Sequence, residues 1–116
     1  MKDYILVHAE FVIHEGKIAE FRNSANEVIK KVEANEPDNL LYEWFISDDK
    51  RKCYVVEMFK NSEALIHHLG VSPEWLSSEV GSLTEGMIYG NSSDELKQAM
   101  KSMPVKFVEH WNGFTR

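Results

Sequence analysis

Residues 40–69 read LLYEWFISDDKRKCYVVEMFKNSEALIHHL, and this stretch decides the fold. Residues 40–46 and 52–59 are rich in aromatic and β-branched residues, and their side chains divide by a period of two into two strand faces: Leu40, Tyr42, Trp44 and Ile46 share one face of the first segment, and Cys53, Val55, Glu57 and Phe59 share one face of the second. The polar run between them, residues 47–51, has the length and composition of a hairpin turn. The stretch therefore predicts two antiparallel strands joined by a short turn.

A helix is predicted directly after the second strand. Asn61 or Ser62 has a side chain suited to cap it, and the helix continues through Leu69. It carries the only two adjacent histidines of the chain, His67 and His68. Neighbouring residues on a helix diverge by about 100°, so these two side chains cannot bind one ion together.

The rest of the chain adds strands and helices around this unit. Further strands are predicted over residues 4–13, 83–89 and 105–111, and further helices over residues 17–35, from Ser72, and over residues 92–101. Ser92, with Glu95 three residues later, forms a capping box for the last of these helices. The order matches the ferredoxin-like βαββαβ arrangement, an α+β fold with an antiparallel sheet and helices on one face.

Both faces of the predicted sheet carry apolar side chains. Tyr4, Leu6, Tyr42, Trp44 and Tyr54, or their neighbours, occupy alternate positions along the strands. Helices can cover one face, and the second face then needs another cover. A second copy of the same sheet would provide it, so we predict a two-fold homodimer.

Composition excludes several functional classes. The chain has 116 residues, which predicts a single domain over residues 1–116. With 13 basic and 19 acidic residues its net charge is -6, which disfavours nucleic-acid binding. No run approaches the ~18 apolar residues of a membrane span, and the first residues lack signal-peptide features, so we expect a cytosolic protein. The single cysteine, Cys53, excludes an internal disulfide and a cysteine-based zinc site.

Residues 54–69, YVVEMFKNSEALIHHL, resemble the antibiotic biosynthesis monooxygenase family of dimeric α+β barrels. The positions that match the family pattern are Glu57, Phe59, Asn61, Ala64, Leu65 and His68. The element order extends the resemblance over roughly residues 3–80, and the tail from Leu83 resembles longer members only loosely.

The resemblance implies a small-molecule pocket between sheet and helices. Some members of the family oxidise phenols or quinols there with molecular oxygen, without metal or flavin, so no cofactor is expected. Others degrade haem with an Asn on the first strand. Residues 4–13 contain no Asn, which disfavours that branch.

His68 is the predicted catalytic residue. It falls at the edge of the buried stripe defined by Ala64 and Leu69, whereas His67 falls outside it, one turn after Glu63. Because histidine titrates near neutral pH, His68 would suit removal of a phenolic proton. The alternative is a core histidine whose nitrogens are satisfied by a backbone or Glu partner.

Trp75, Tyr42, Tyr54 and Glu57 are the predicted substrate-binding residues, with core, interface or structural hydrogen-bonding roles as the alternatives. We predict no metal site. His8, Glu10 and His110 could approach one another on neighbouring strands, but they show no recognised ligand spacing.

Four functions remain open. The first is a cofactor-independent monooxygenase-like enzyme acting on a small aromatic or quinol substrate. The second is a non-catalytic domain that binds or senses a small molecule. The third is an isomerase or lyase in which His68 moves a proton without oxygen, and the fourth is a dimer that serves interaction only.

Overall fold

The computed structural model describes residues 3–71 and 79–116, which form a five-stranded sheet with helices packed against one face. The elements are β1 (Ile5–Ile13), α1 (Ile18–Asn35), β2 (Asn39–Ile46), β3 (Lys52–Phe59), α2 (Ser62–Val71), β4 (Gly81–Tyr89), α3 (Asp94–Ala99) and β5 (Val105–Val108). The helix predicted from Ser72, which carries Trp75, falls outside the described residues.

The strand order is β2-β3-β1-β4-β5, and the first four strands are antiparallel, which confirms the ferredoxin-like α+β fold. β5 pairs with β4 in parallel, so the prediction of an antiparallel sheet is wrong for this strand and the sheet is mixed. The reason is the connection. Residues 90–104 include α3 and return the chain to the end of the sheet where β4 began, as a parallel crossover requires.

The inner face of the sheet carries the core. Because side chains alternate along a strand, β1 and β3 each turn one set of residues toward the helices. The buried core residues include Ile5, Val7, Ala9 and Ile13 of β1, Cys53, Val55 and Phe59 of β3, and Phe21, Leu65 and Leu96 of the helices. None of the helices in the described ranges is long and apolar enough to cross a membrane.

The outer face of the sheet carries several exposed apolar side chains in the single chain. Tyr42 and Trp44 of β2 lie on the inner face, and their neighbours Leu41 and Phe45 are exposed on the outer one. Tyr89 is also exposed there. The sequence predicted that Tyr42 and Trp44, or their neighbours, would give the outer face apolar side chains. On β2 these outer residues are the neighbours, Leu41 and Phe45.

Side-chain caps fix where α2 and α3 begin. Asn61 Oδ1 accepts a hydrogen bond from Ala64 N at 2.9 Å, so Asn61 caps α2. The predicted cap of α3 is wrong by one residue, because Ser93 Oγ, not Ser92, accepts from Leu96 N at 3.1 Å. The Ser93 N–H also donates to Ser62 Oγ at 3.0 Å, which ties α3 to the start of α2.

The last strand is shorter than predicted. β5 ends at Val108, and Trp111 is 94% exposed rather than part of the sheet. Alternation of apolar residues continues past the last pairing partner on β4, so the pattern alone overestimates the strand.

Candidate active site

A cavity of about 420 Å³ lies between the inner face of the sheet and the helices. This volume is within the range of pockets that bind small molecules. Most of the lining is apolar and comes from all five strands, from α2, and from Met100 and Met103 beside α3. Tyr42, Glu57 and His68 bring hydroxyl, carboxyl and imidazole groups into this lining. The cavity therefore suits a largely apolar ligand that carries a hydrogen-bonding group.

Three different elements bring these polar side chains together. Glu57 points inward from β3, between the buried residues Val55 and Phe59. Tyr42 is the residue of β2 that pairs with Glu57 across the hairpin, so both lie on the same face. His68 reaches the same place from α2, with its ring 5.5 Å from that of Tyr42, measured between centroids.

His68 lies between two buried carboxyl groups. Its Nδ1 is 2.8 Å from Glu36 Oε1, and its Nε2 is 3.5 Å from Glu57 Oε1. Because a carboxylate oxygen only accepts hydrogen bonds, a hydrogen bond between His68 and an ionised Glu36 requires the hydrogen of the ring on Nδ1. The neutral imidazole then carries its lone pair on Nε2, the nitrogen that faces Glu57.

Burial keeps Glu57 protonated at neutral pH. It raises the pKa of Glu57 to about 8, and the nearby charge of Glu36 acts in the same direction. Within the described part of the chain, Glu57 Oε1 has no hydrogen-bond partner. A protonated carboxyl group can donate a hydrogen bond to a ligand oxygen, which a carboxylate cannot do.

Tyr42 is also held in its neutral form. Burial raises the pKa of its hydroxyl group, and the charges of Glu57 and Glu36 raise it further. Tyr42 is therefore suited to hydrogen bonding and not to accepting a proton. Of the three polar groups, the imidazole of His68 is the one suited to accept a proton from a ligand.

The structure brings together three of the five predicted site residues. His68, Tyr42 and Glu57 line the cavity. Tyr54 does not, because it follows Cys53 on β3 and therefore points to the outer face, where its ring stacks on His8 with centroids 6.0 Å apart. Trp75 lies outside the described residues.

The three residues considered for a metal do not form a cluster. Glu10 accepts a hydrogen bond from Thr84 Oγ1 at 2.9 Å and lies 3.8 Å from Lys52 Nζ. Across residues 3–71 and 79–116, no group of three or more His, Cys, Asp or Glu side chains is arranged to hold a metal ion.

Sequence reasoning missed Glu36. This residue is only 4% exposed and lies at the C-terminal cap of α1, directly before Pro37. A carboxylate is unfavourable at the C-terminal end of a helix, where the dipole favours cations. An acidic residue in this position was the one available signal that Glu36 has a partner elsewhere in the fold.

Residues 4–76 match the family model of antibiotic biosynthesis monooxygenases. The chain belongs to this family. The match includes Glu36, Tyr42, Glu57 and His68, and it ends before β4. A search of curated protein sequences found no match.

Solved structures share the fold of this family member. The crystal structure of MupZ from Pseudomonas fluorescens has a TM-score of 0.86 at 19% identity, with 98% of this chain and 95% of that chain covered. Protein SO0527 from Shewanella oneidensis has a TM-score of 0.66 at 21% identity, covering 78% of this chain and 93% of that one. A candidate antibiotic biosynthesis monooxygenase from Caulobacter crescentus has a TM-score of 0.56 at 25% identity, covering 88% and 76%.

Proposed function

We propose that this chain is a cofactor-independent monooxygenase that oxidises a small phenol or quinol with molecular oxygen. The observation that carries the proposal is the position of His68 in the cavity wall, with Nδ1 bound to Glu36 and Nε2 directed toward Glu57. Membership of the antibiotic biosynthesis monooxygenase family supports the choice of oxygen as the second substrate.

The reaction begins with a proton transfer. Nε2 of His68 takes the proton of the substrate hydroxyl group, and the resulting phenolate is a much stronger electron donor than the phenol. The phenolate reduces oxygen directly. One oxygen atom enters the oxidised product, and the other leaves as water together with two hydrogens that the substrate loses.

The other groups of the cavity support this step. Protonated Glu57 and neutral Tyr42 can each donate a hydrogen bond to the substrate oxygen as negative charge develops on it. The mostly apolar lining suits an aromatic ring.

Oxygen uptake tests the proposal. The purified protein, without added flavin or metal, should consume oxygen with at least one member of a panel of phenols and quinols. His68→Ala should lower kcat by about 10²–10⁴-fold, the usual contribution of a general base. His67→Ala is the matched control, because His67 is the exposed neighbour on the same helix and does not line this cavity. Absence of uptake across the panel contradicts the proposal.

A second candidate function is proton transfer without oxygen, as in an isomerase or lyase. The specific observation in its favour is that a protonated carboxyl group, Glu57, lies 3.5 Å from a nitrogen that can accept a proton. Such a pair can take a proton from one atom of a substrate and give one to another. Turnover under strict anaerobic conditions separates this function from the first. A ligand that raises the melting temperature and is recovered unchanged indicates binding alone.

We also propose a homodimer formed through the outer face of the sheet. Leu41, Phe45, Tyr89 and Val108 are exposed there in the single chain, and a second copy would bury them. Sedimentation velocity should give the mass of a dimer, and Phe45→Asp should shift the protein toward monomer. A monomer at all concentrations for the unmodified chain would contradict this proposal.

A further inference from the structure

Glu36 lies where two cavities approach each other. On one side its Oε1 binds His68, which lines the inner cavity. On the other side Glu36 is part of the lining of an outer cavity of about 380 Å³, together with Asp38, Asn61 and Glu63. Its second oxygen, Oε2, is buried and has no hydrogen-bond partner among the residues that the structure describes.

This position is costly for the folded protein. A carboxyl group that is 4% exposed loses most of its hydration, and at the C-terminal cap of α1 the helix dipole opposes its charge. Among residues 3–71 and 79–116, the side-chain hydrogen bond that offsets these costs is the 2.8 Å contact with His68. The carboxyl group therefore destabilises the fold at this position, but its hydrogen bond can orient the imidazole of His68.

We infer that Glu36 is a positioning residue that fixes the tautomer of His68. With the hydrogen held on Nδ1, the lone pair of neutral His68 stays on Nε2, which is 3.5 Å from Glu57 Oε1 in the lining of the inner cavity. After Nε2 accepts a proton, the Glu36 carboxylate stabilises the imidazolium that results. Without Glu36, a fraction of the protein molecules would carry the hydrogen of His68 on Nε2. In those molecules Nε2 could not accept a proton from a ligand. The kinetic part of this inference rests on the proposed function, and the tautomer itself does not.

Nitrogen-15 NMR of histidine-labelled protein tests the tautomer without any substrate. At a pH where His68 is neutral, its two ring nitrogens should have the shifts of a protonated Nδ1 and an unprotonated Nε2. In Glu36→Ala the signals should move toward a mixture of tautomers. A wild-type His68 with its hydrogen on Nε2 overturns the inference, and that measurement needs no variant.

Kinetics provide the second test. Glu36→Gln keeps the size of the side chain and removes its charge, so it should lower kcat by about 10- to 100-fold, the range found for residues that orient a histidine. KM should change much less, because Glu36 does not line the inner cavity. Glu33→Gln is the matched control, since Glu33 is an exposed acid one turn earlier on α1.

Formate distinguishes positioning from general structural support. In Glu36→Ala the space left by the missing side chain should connect with the outer cavity. Sodium formate added to this variant should therefore restore part of kcat, because formate can place a carboxylate against Nδ1 of His68. Sodium chloride at the same concentration should not. An unchanged kcat in Glu36→Ala, which removes the acceptor altogether, overturns the inference. If no phenol or quinol is oxidised, the proposed function fails, and the NMR result alone then decides the role of Glu36.

Discussion

Glu57→Gln should stabilise this protein at alkaline pH. Glutamine has nearly the same shape as protonated glutamic acid, and it stays neutral at every pH. Glu57 lies on β3 with its carboxyl group buried against apolar neighbours, and that burial raises its pKa from 4.5 to about 8. The substitution therefore removes a group that becomes costly once it must ionise inside the fold.

The size and sign of this stability difference follow from the pKa of Glu57 in the unfolded chain, 4.5, and its pKa in the folded protein, about 8. Between pH 4.5 and about 8 the folded protein keeps the proton of Glu57 and the unfolded chain has lost it, so stability falls as pH rises. Below pH 4.5 both states are protonated and the group contributes no pH dependence. A pKa raised from 4.5 to about 8 corresponds to about 5 kcal/mol, which is the upper limit of the expected difference above pH 8.

Urea denaturation at pH 5 and at pH 9, followed by tryptophan fluorescence at one protein concentration, measures this difference. The free energies of unfolding of wild type and Glu57→Gln should be similar at pH 5 and should diverge by several kcal/mol at pH 9, with the variant more stable. Glu33→Gln, at an exposed site, should follow the wild type at both values. If Glu57→Gln is the less stable protein at pH 9, Glu57 is an ion-pair partner of His68 and the assigned protonation state is wrong.

Three further results are expected. Gly86→Ala should lower the free energy of unfolding, measured by thermal denaturation, by about 1–3 kcal/mol, because a Cβ there would lie 2.9 Å from Val105 Cγ1. Adding Val105→Ala to the same chain should recover part of this loss, and purely additive effects of the two substitutions would contradict the contact. Ser93→Ala should cost about 1 kcal/mol through loss of the cap on α3, measured by urea denaturation, with Ser92→Ala nearly neutral. Cys53 should react with iodoacetamide at pH 8 only after unfolding, because the residue is buried and burial raises the pKa of its thiol to about 11; rapid labelling of the native protein would contradict this.

The order of elements and the inner face of the sheet could be predicted from the sequence because both depend on local periodicity. Alternation along β1 and β3 identified the buried set, and Glu57 was recognised as a carboxyl group on an apolar face. His68 was separated from His67 by helical geometry alone. These inferences needed no information about distant residues.

Contacts between distant residues could not be obtained in this way. Glu36 and His68 are 32 residues apart, and no spacing rule links the end of one helix to the end of another. The parallel pairing of β5 with β4 depends on how α3 packs, and α3 is anchored by a hydrogen bond between Ser93 and Ser62, 31 residues apart. The cap was misplaced by one residue because two adjacent serines satisfy the same local rule.

The cavity is lined by two parts of the chain, one inside and one outside the region that matches the family model. Tyr42, Glu57 and His68 lie within the region that matches the family model, whereas Met100 and Met103 come from the segment that follows it. Methionine adapts its shape readily, and exchanging it for a larger or smaller side chain changes the volume available to a ligand without altering these three polar side chains. Substitutions at Met100 and Met103 can therefore change which ligands fit the cavity while Tyr42, Glu57 and His68 stay in place.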